Sequence, residues 1–542
     1  MISMTPSASA EMQLSRQVCA QRGSIHALPD DIMLLIIGFI EVKDILSIRK
    51  ASKRFYTITK LRWVWHDAMK RHVIDRGLPV PAADADLKAF SAEHLEARAV
   101  HAARFHDNWC SSKPKATRKI EFRADRPLLD DLNYQNGTSV SQIFFLPGRN
   151  GEFLVTAVGR VITCWEVPLD GSGAYRVAEW VSSKKIDQLV MNEDPRHPVV
   201  LAYVSGDPNP QGAVELCALS LDTFHGCFHM RAKLRGHRAN ILPLHVCHGD
   251  YVIFGDPLIA WFTMSPSEIK TLGAYHSPTV QEGESDDILA VKVVNRYMVV
   301  VRQRSCAIDY APSWNGKRIT YSAMKMAVMA FDNIVSEAVI VVRNTTVKRA
   351  DEPEPEWPSE PVTVLARCTY DGLDTLQQFD LLPQRYFPVV VTEDESGKPV
   401  NIFRFPCIFP PRFTRVVVTA PSCRGLYVTR SGKGFWIETR NVTSRHSVHP
   451  ARCIVGFQVA SNPESEAVMA EIRAAGVKQG CIPITEVGNG LEICRDALYA
   501  RRCDMSEILW KKYSLACAAL EDTVGRIAIG DRMGKVEVLD FA

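Results

Sequence analysis

One run of residues constrains this chain more than any other. Behind Leu28-Pro29 and the acidic pair Asp30-Asp31 come nine residues with no charge, Ile32 through Ile40. Pro29 suits a first helical turn, where the missing N–H costs nothing. The two aspartates suit the positive end of the helix dipole. Ile32, Leu35, Ile36 and Phe39 form one face at helical spacing, and Met33, Ile37 and Ile40 form another. A helix apolar on nearly every side must be covered on both faces. A second helix, carrying Ile45, Ile48, Ser52 and Phe55, covers one face. A third helps through Val64, Trp65 and Met69. A three-helix unit this small leaves apolar surface over, and such surface marks a partner.

The order of these residues resembles the F-box. That pattern reads Leu28-Pro29, Asp30-Asp31, the aliphatic run to Ile40, a break at Val42-Lys43-Asp44, Ile45-Leu46, Lys53-Arg54-Phe55 and Val64-Trp65. The resemblance implies a receptor subunit of an SCF-type cullin–RING ubiquitin ligase. Its F-box would dock on the Skp-family adaptor, and through it on cullin. The residues implied are Leu28, Pro29, Ile32, Ile36, Ile45, Leu46, Phe55 and Trp65. Leu28, Ile32, Ile36 and Phe55 also suit the interior of an ordinary helical subdomain.

The chain of 542 residues is too long for one core and divides into two or three domains. With 46% hydrophobic and 23% charged residues it is globular rather than disordered. A net charge of only +3 gives no electrostatic case for nucleic acid. Fifteen cysteines without a CxxC pair, and no secretory signal, read as reduced thiols of a cytoplasmic or nuclear protein. The longest apolar run is too short to cross a bilayer, so no membrane association is expected. The glycosylation sequons at Asn136, Asn344 and Asn441 then carry no meaning.

Residues 1–23 read as a polar, mobile tail, 24–72 as the F-box, and 73–119 as a helical linker. In the linker Leu87, Phe90, Leu95, Ala99, Ala102 and Phe105 recur at roughly helical spacing. Its basic end, Ser111 to Lys119, reads as solvated chain. From 120 to 542 the texture is all-β. Asn-Gly or Asp-Gly pairs begin at Asn136, Asn150, Asp170, Asn315, Asp371 and Asn489, a hairpin signal.

Strand–turn–strand units recur. They run Phe153–Thr156 into Val161–Val167, Val199–Val204 into Ala213–Leu219, and Tyr251–Phe254 into Leu258–Met264. Further along come Tyr297–Arg302 into Cys306–Tyr310, Val362–Tyr370 into Leu376–Leu382, Gly425–Thr429 into Gly434–Thr439, and Arg526–Gly530 into Val536–Phe541. Radial repetition of small sheets resolves the edge problem of so long a β chain, so a seven-bladed propeller is expected. The units resemble degenerate WD-repeat blades, best at Leu234-Arg235-Gly236-His237, although no Trp-Asp pair occurs. The wide gap between Trp436 and Val538 leaves room for an eighth blade or an insertion between Asn462 and Lys512. Two acidic stretches, Gln281–Asp287 and Asp351–Pro361, read as solvated loops.

Chemistry is sparse. Gly432-x-Gly434 is part of a hairpin, not a phosphate loop. His225, Cys227 and His229 share a strand face at ligand-like spacing, without an evident fourth ligand. His245, Cys247 and His248 fare no better. His94, His101 and His106 lack the spacing of a helical metal pair. Arginines and aromatics of the β loops read as scattered surface residues. The chain is expected to be non-catalytic, without cofactor or metal. It would bring a target protein near the charged ubiquitin carrier and raise the effective concentration of the reactants. The alternative is a propeller scaffold for protein assembly outside a ligase. A propeller enzyme with polar residues converging in its channel is the third reading.

Overall fold

The computed structural model describes residues 28–80, 87–111, 114–124, 139–206, 209, 212–273, 285–314, 319–320, 327–342, 357–358, 360–370, 373–383, 391–393, 399–402, 407, 409, 411–418, 424–443, 448–459, 491–493, 499–500 and 515–542. Two compact units are present. One holds residues up to Leu78 together with Ala85–Ala103, and the other holds Pro79–Asp84 with Arg104–Ala542. The expected N-terminal tail, most of the two acidic loops, and most of the stretch from Asn462 to Lys512 lie outside the described residues. So do the Asn136, Asn315, Asp371 and Asn489 turns.

The helical unit begins with α1 (Asp30–Ile37), α2 (Val42–Arg49), α3 (Lys53–Ile58) and α4 (Arg62–Ala68). A π turn, Met69–Ile74, prolongs α4. Four short helices thus stand where three were expected. The break lies at Ser52, whose side chain accepts from the Phe55 N–H at 3.2 Å and caps a new helix. Helix α5 (Ala92–Trp109) follows a 3₁₀ turn at Leu87–Ala89, and the division between units falls within it, after Ala103. Its Leu95, Ala99 and Ala102 are fully buried.

The β unit is a succession of four-stranded antiparallel meanders. The first has strands Val140–Phe145, Phe153–Val158, Val161–Glu166 and Tyr175–Val181. The second has Ile186–Met191, Val199–Gly206, Ala213–Asp222 and Cys227–His237. One parallel bridge, Glu179 to Cys227, joins their outer strands into an eight-stranded sheet. The third has Leu244–His248, Tyr251–Phe254, Leu258–Phe262 and Ile269–Gly273, and the fourth Ile288–Val294, Tyr297–Arg302, Ser305–Tyr310 and Ala327–Ala330. The fifth has Val335–Val342, Val362–Tyr370, Leu373–Leu381 and Arg412–Val418. The sixth has Arg424–Val428, Lys433–Thr443 and Val448–Val459, with Leu491–Ile493 and Tyr499–Ala500 on its edge.

The last sheet closes the circle. Its strands Leu515–Glu521, Arg526–Asp531 and Lys535–Asp540 take their fourth from the other end of the chain, Arg118–Arg123, in register from Arg118–Asp540 to Arg123–Lys535. The basic end of the expected linker is therefore partly a strand. Apolar side chains fill each gap between consecutive sheets. The gap between last and first is filled by Ile120, Val140, Leu154, Ala528 and Val538. A ring of face-to-face sheets is a propeller.

In each of the seven sheets of the ring the first strand is irregular near its start. Pairing with the second strand slips at Val140/Gln142, Ile186/Gln188, Leu244/Val246, Ile288/Ala290, Val335/Glu337, Arg424/Tyr427 and Leu515/Cys517. A bulge re-aims the residue that follows it. Gln142 uses this to accept from the Leu189 N–H at 2.6 Å and donate to Asp187 O at 3.1 Å in the next sheet. Gln188 does the same to Leu244, at 2.7 and 2.6 Å. Glu337 accepts from the Leu426 N–H at 2.7 Å. The clamps satisfy backbone groups that antiparallel pairing leaves open.

Candidate functional site

The site is the outer face of α1. Arg54, on α3, holds its start by donating to Asp30 Oδ1 and to Leu28 O. Gly38 ends it in tight quarters, since a Cβ there would lie 2.9 Å from Asp67 Oδ2. Arg71 pairs with Asp67 at 3.0 Å and lies 5.2 Å from the Phe39 ring centroid. With both ends fixed, Met33 and Ile37 turn inward, each 1% exposed. Ile32, Leu35, Ile36 and Phe39 stand outward at 43, 56, 37 and 75%. Four large apolar side chains on one stripe give a face that water solvates poorly. Fully covering a side chain of this class is worth about 1.5–3 kcal/mol.

The eight residues singled out from sequence separate into two groups. Pro29, Ile32 and Ile36 are exposed, and Leu28 and Leu46 are half-buried. Ile45, Phe55 and Trp65 are interior, at 1, 5 and 0% exposed. These three have no surface to offer and act as the posts behind the face. Trp65 donates its indole N–H to Thr59 O at 2.8 Å. Arg49 lies 5.4 Å over the Trp65 ring and binds Thr59 O, Thr59 Oγ1 and the Glu96 carboxylate. Leu35 and Phe39, read from sequence as part of the apolar face, are the most exposed of it. Tyr56, Leu61 and Trp63, at 55, 46 and 47%, form a second exposed group that sequence reasoning passed over. No periodic signal marked it, since Trp63 is exposed while both Val64 and Trp65 beside it are buried.

Elsewhere the candidate ligands do not gather. His225 turns to Asp222, with Nδ1 2.7 Å from Oδ2, leaving Cys227 and His229 in contact at 3.3 Å. His245 Nε2 lies 3.1 Å from Gly255 O, and burial pushes its pKa down to about 4. Among the described residues no cluster of three or more His, Cys, Asp or Glu is placed to hold a metal. No helix among them is long and apolar enough to cross a membrane.

Comparison with known proteins agrees with the helical unit. Residues 25–67 match the F-box domain. No curated protein matches the chain. Among solved structures, the C-terminal WD40 domain of Sif2 is similar at 9% identity, with a TM-score of 0.39, over 78% of this chain and 99% of that one. The protein carries an F-box domain at residues 25–67, followed by an all-β propeller of four-stranded sheets.

Proposed function

We propose that the protein is a substrate receptor of an SCF-type cullin–RING ubiquitin ligase, itself non-catalytic. The docking face is Leu28, Pro29, Ile32 and Ile36, widened by Leu35 and Phe39. Ile45, Phe55 and Trp65 support it from behind, and Leu46 lies at its edge. A Skp-family adaptor covers this face, and cullin is reached through the adaptor. A seven-bladed wheel, closed by the strand at Arg118–Arg123, holds the target protein. Function then comes from proximity, because tethering target and ubiquitin carrier raises their effective concentration.

The observation that carries the reading is the stripe of Ile32, Leu35, Ile36 and Phe39, exposed among the described residues while Met33 and Ile37 of the same helix are buried. Affinity capture of the full chain from its native cell tests it. Adaptor and cullin together in the eluate support the ligase role. Other partners without adaptor or cullin point to a scaffold outside the ligase.

A further inference from the structure

Nine cysteines have described side chains, and seven of these are buried. Burial pushes the Cys164, Cys306 and Cys517 thiols up to about 12 and raises those of Cys217, Cys247, Cys368 and Cys407. Thiols of this kind are inert at neutral pH. Cys110 is exposed and Cys227 is half-buried. Each faces an imidazole, and the two imidazoles differ. His106 Nδ1 lies 3.9 Å from Cys110 Sγ, but the Lys433 ammonium reaches the same nitrogen at 3.3 Å. An ammonium only donates, so the lone pair of that nitrogen is taken. His229 Nε2 lies 3.3 Å from Cys227 Sγ, and among the described residues no cation competes for it.

The contact follows from the strand. Cys227 and His229 stand two apart on the outer strand of the second sheet, so they share a face. Phe228 between them is buried in the apolar gap. Pairing sets Asp222 across from Cys227 and Ser220 across from His229, and the parallel bridge sets Glu179 on the other side of Cys227. Both carboxylates are engaged. Asp222 accepts from the Phe224 and His225 N–H groups and faces His225 Nδ1 at 2.7 Å, while Arg176 holds Glu179 at 2.8 Å. Paired in this way, they oppose a thiolate less than bare carboxylates would. Arg231, further along the strand, donates to Ser220 Oγ at 2.7 Å. Phe224 at the hairpin tip and His229 are both exposed, so the sulfur is reached from solvent.

We propose that Cys227 and His229 form a nucleophilic thiol–imidazole pair, and that Cys227 is a site of mixed-disulfide formation with a small soluble disulfide. His229 Nε2 takes the thiol proton. The thiolate attacks one sulfur of the disulfide. A new S–S bond forms at Cys227, the old one breaks, and the departing thiolate recovers the proton from the imidazolium. The small disulfide is the oxidant and leaves as its thiol, so the electrons balance. Exchange needs a thiolate and access and no further group. The other described cysteine of this sheet, Cys217, is buried, so the adduct is not passed on to an internal bridge. The inference does not depend on the docking role of the helical unit.

The test is labelling of the full-length protein by glutathione disulfide, mapped to each cysteine by mass spectrometry. At pH 7 Cys227 gains the adduct at least threefold faster than Cys110, a comparison that needs no variant. It also gains it at least threefold faster than Cys227 of the H229Q variant. At pH 9.5, where a thiol ionises unaided, the variant matches or overtakes wild type, because the thiolate without its imidazolium is the better nucleophile. A merely structural role for His229 would not close the gap with pH. In urea the gap between wild type and H229Q disappears. The inference is overturned if H229Q labels at the wild-type rate at pH 7, or if Cys110 labels as fast as Cys227 there. An equally large gap in urea also overturns it, since the effect would then belong to the local sequence and not to the fold.

Discussion

Ile36 and Ile37 are neighbours in the chain and opposites in the structure: Ile37 is 1% exposed and Ile36 is 37% exposed. The same side chain is thus a core residue at one position and a surface residue at the next. Truncation separates the two roles. Ile37→Ala costs about 2–5 kcal/mol through lost burial and a cavity. Ile36→Ala changes stability by about 0.5 kcal/mol or less. Hydrogen exchange of the α1 and α3 amides in the full-length protein reads both. Equal costs would place Ile36 in the core.

The helical unit weakens in acid. His72, on the π turn, is buried, and neither ring nitrogen has a hydrogen-bond partner among the described residues. Burial, with Arg76 next in importance, lowers its pKa below 6.5; Glu41 and Asp67 oppose this, and Arg71 adds to it. The folded state therefore resists the proton that the unfolded chain accepts. Its stabilising effect is complete above about pH 6.5 and is lost as pH falls below that value. Exchange of the α4 amides at pH 7.5 and 5.5 should show the loss, and His72→Leu should flatten it. A wild-type unit equally stable at both values contradicts the assignment.

Arg302 anchors the third sheet to the fourth. It is 1% exposed and forks onto Asp256 at 2.7 and 2.9 Å, with a further bond to Asp286 O. Asp256 is itself exposed, so Asp256→Asn takes the counter-charge from one side of the buried guanidinium, at a cost of about 1–3 kcal/mol. Thermal unfolding followed by near-ultraviolet circular dichroism should show the β unit melting several degrees lower. An unshifted melt would mean that the pair does not hold the two sheets together.

The clamp from Gln188 is tested more gently. Gln188→Leu removes both bonds to Leu244 and strands its N–H and C=O, each worth about 1–3 kcal/mol when buried. Amide exchange at Leu244 should accelerate by tenfold or more, while that of the fifth sheet stays unchanged. Uniform acceleration across the ring would show that the clamps act globally.

What the sequence showed followed from burial on two sides. The expected hairpins such as Phe153–Thr156 with Val161–Val167 are the two middle strands of a sheet, covered on both faces and so continuously apolar. The pair Gly425–Thr429 and Gly434–Thr439 is instead a first and second strand. Outer strands such as Tyr175–Val181 are half-exposed and broke the pattern. Bulged inner strands lost their alternation at residues such as Gln142 and Gln188. In the helical unit, periodicity identified Ile32 and Ile36. Helical spacing put Ile45, Phe55 and Trp65 against the first helix, where they lie, whereas the F-box resemblance implied them as docking residues although packing makes them interior.

The central claim is that the outer stripe of α1 binds a Skp-family adaptor. The decisive measurement is the affinity of purified adaptor for the full-length protein and for its I32D/I36D variant, by titration calorimetry. Losing two apolar contacts of about 1.5–3 kcal/mol each, with two carboxylates forced into the interface, predicts at least a hundredfold weaker binding. The melting temperature of the β unit should be unchanged. Affinity of the variant within threefold of wild type, or no binding by the wild type, would contradict the account.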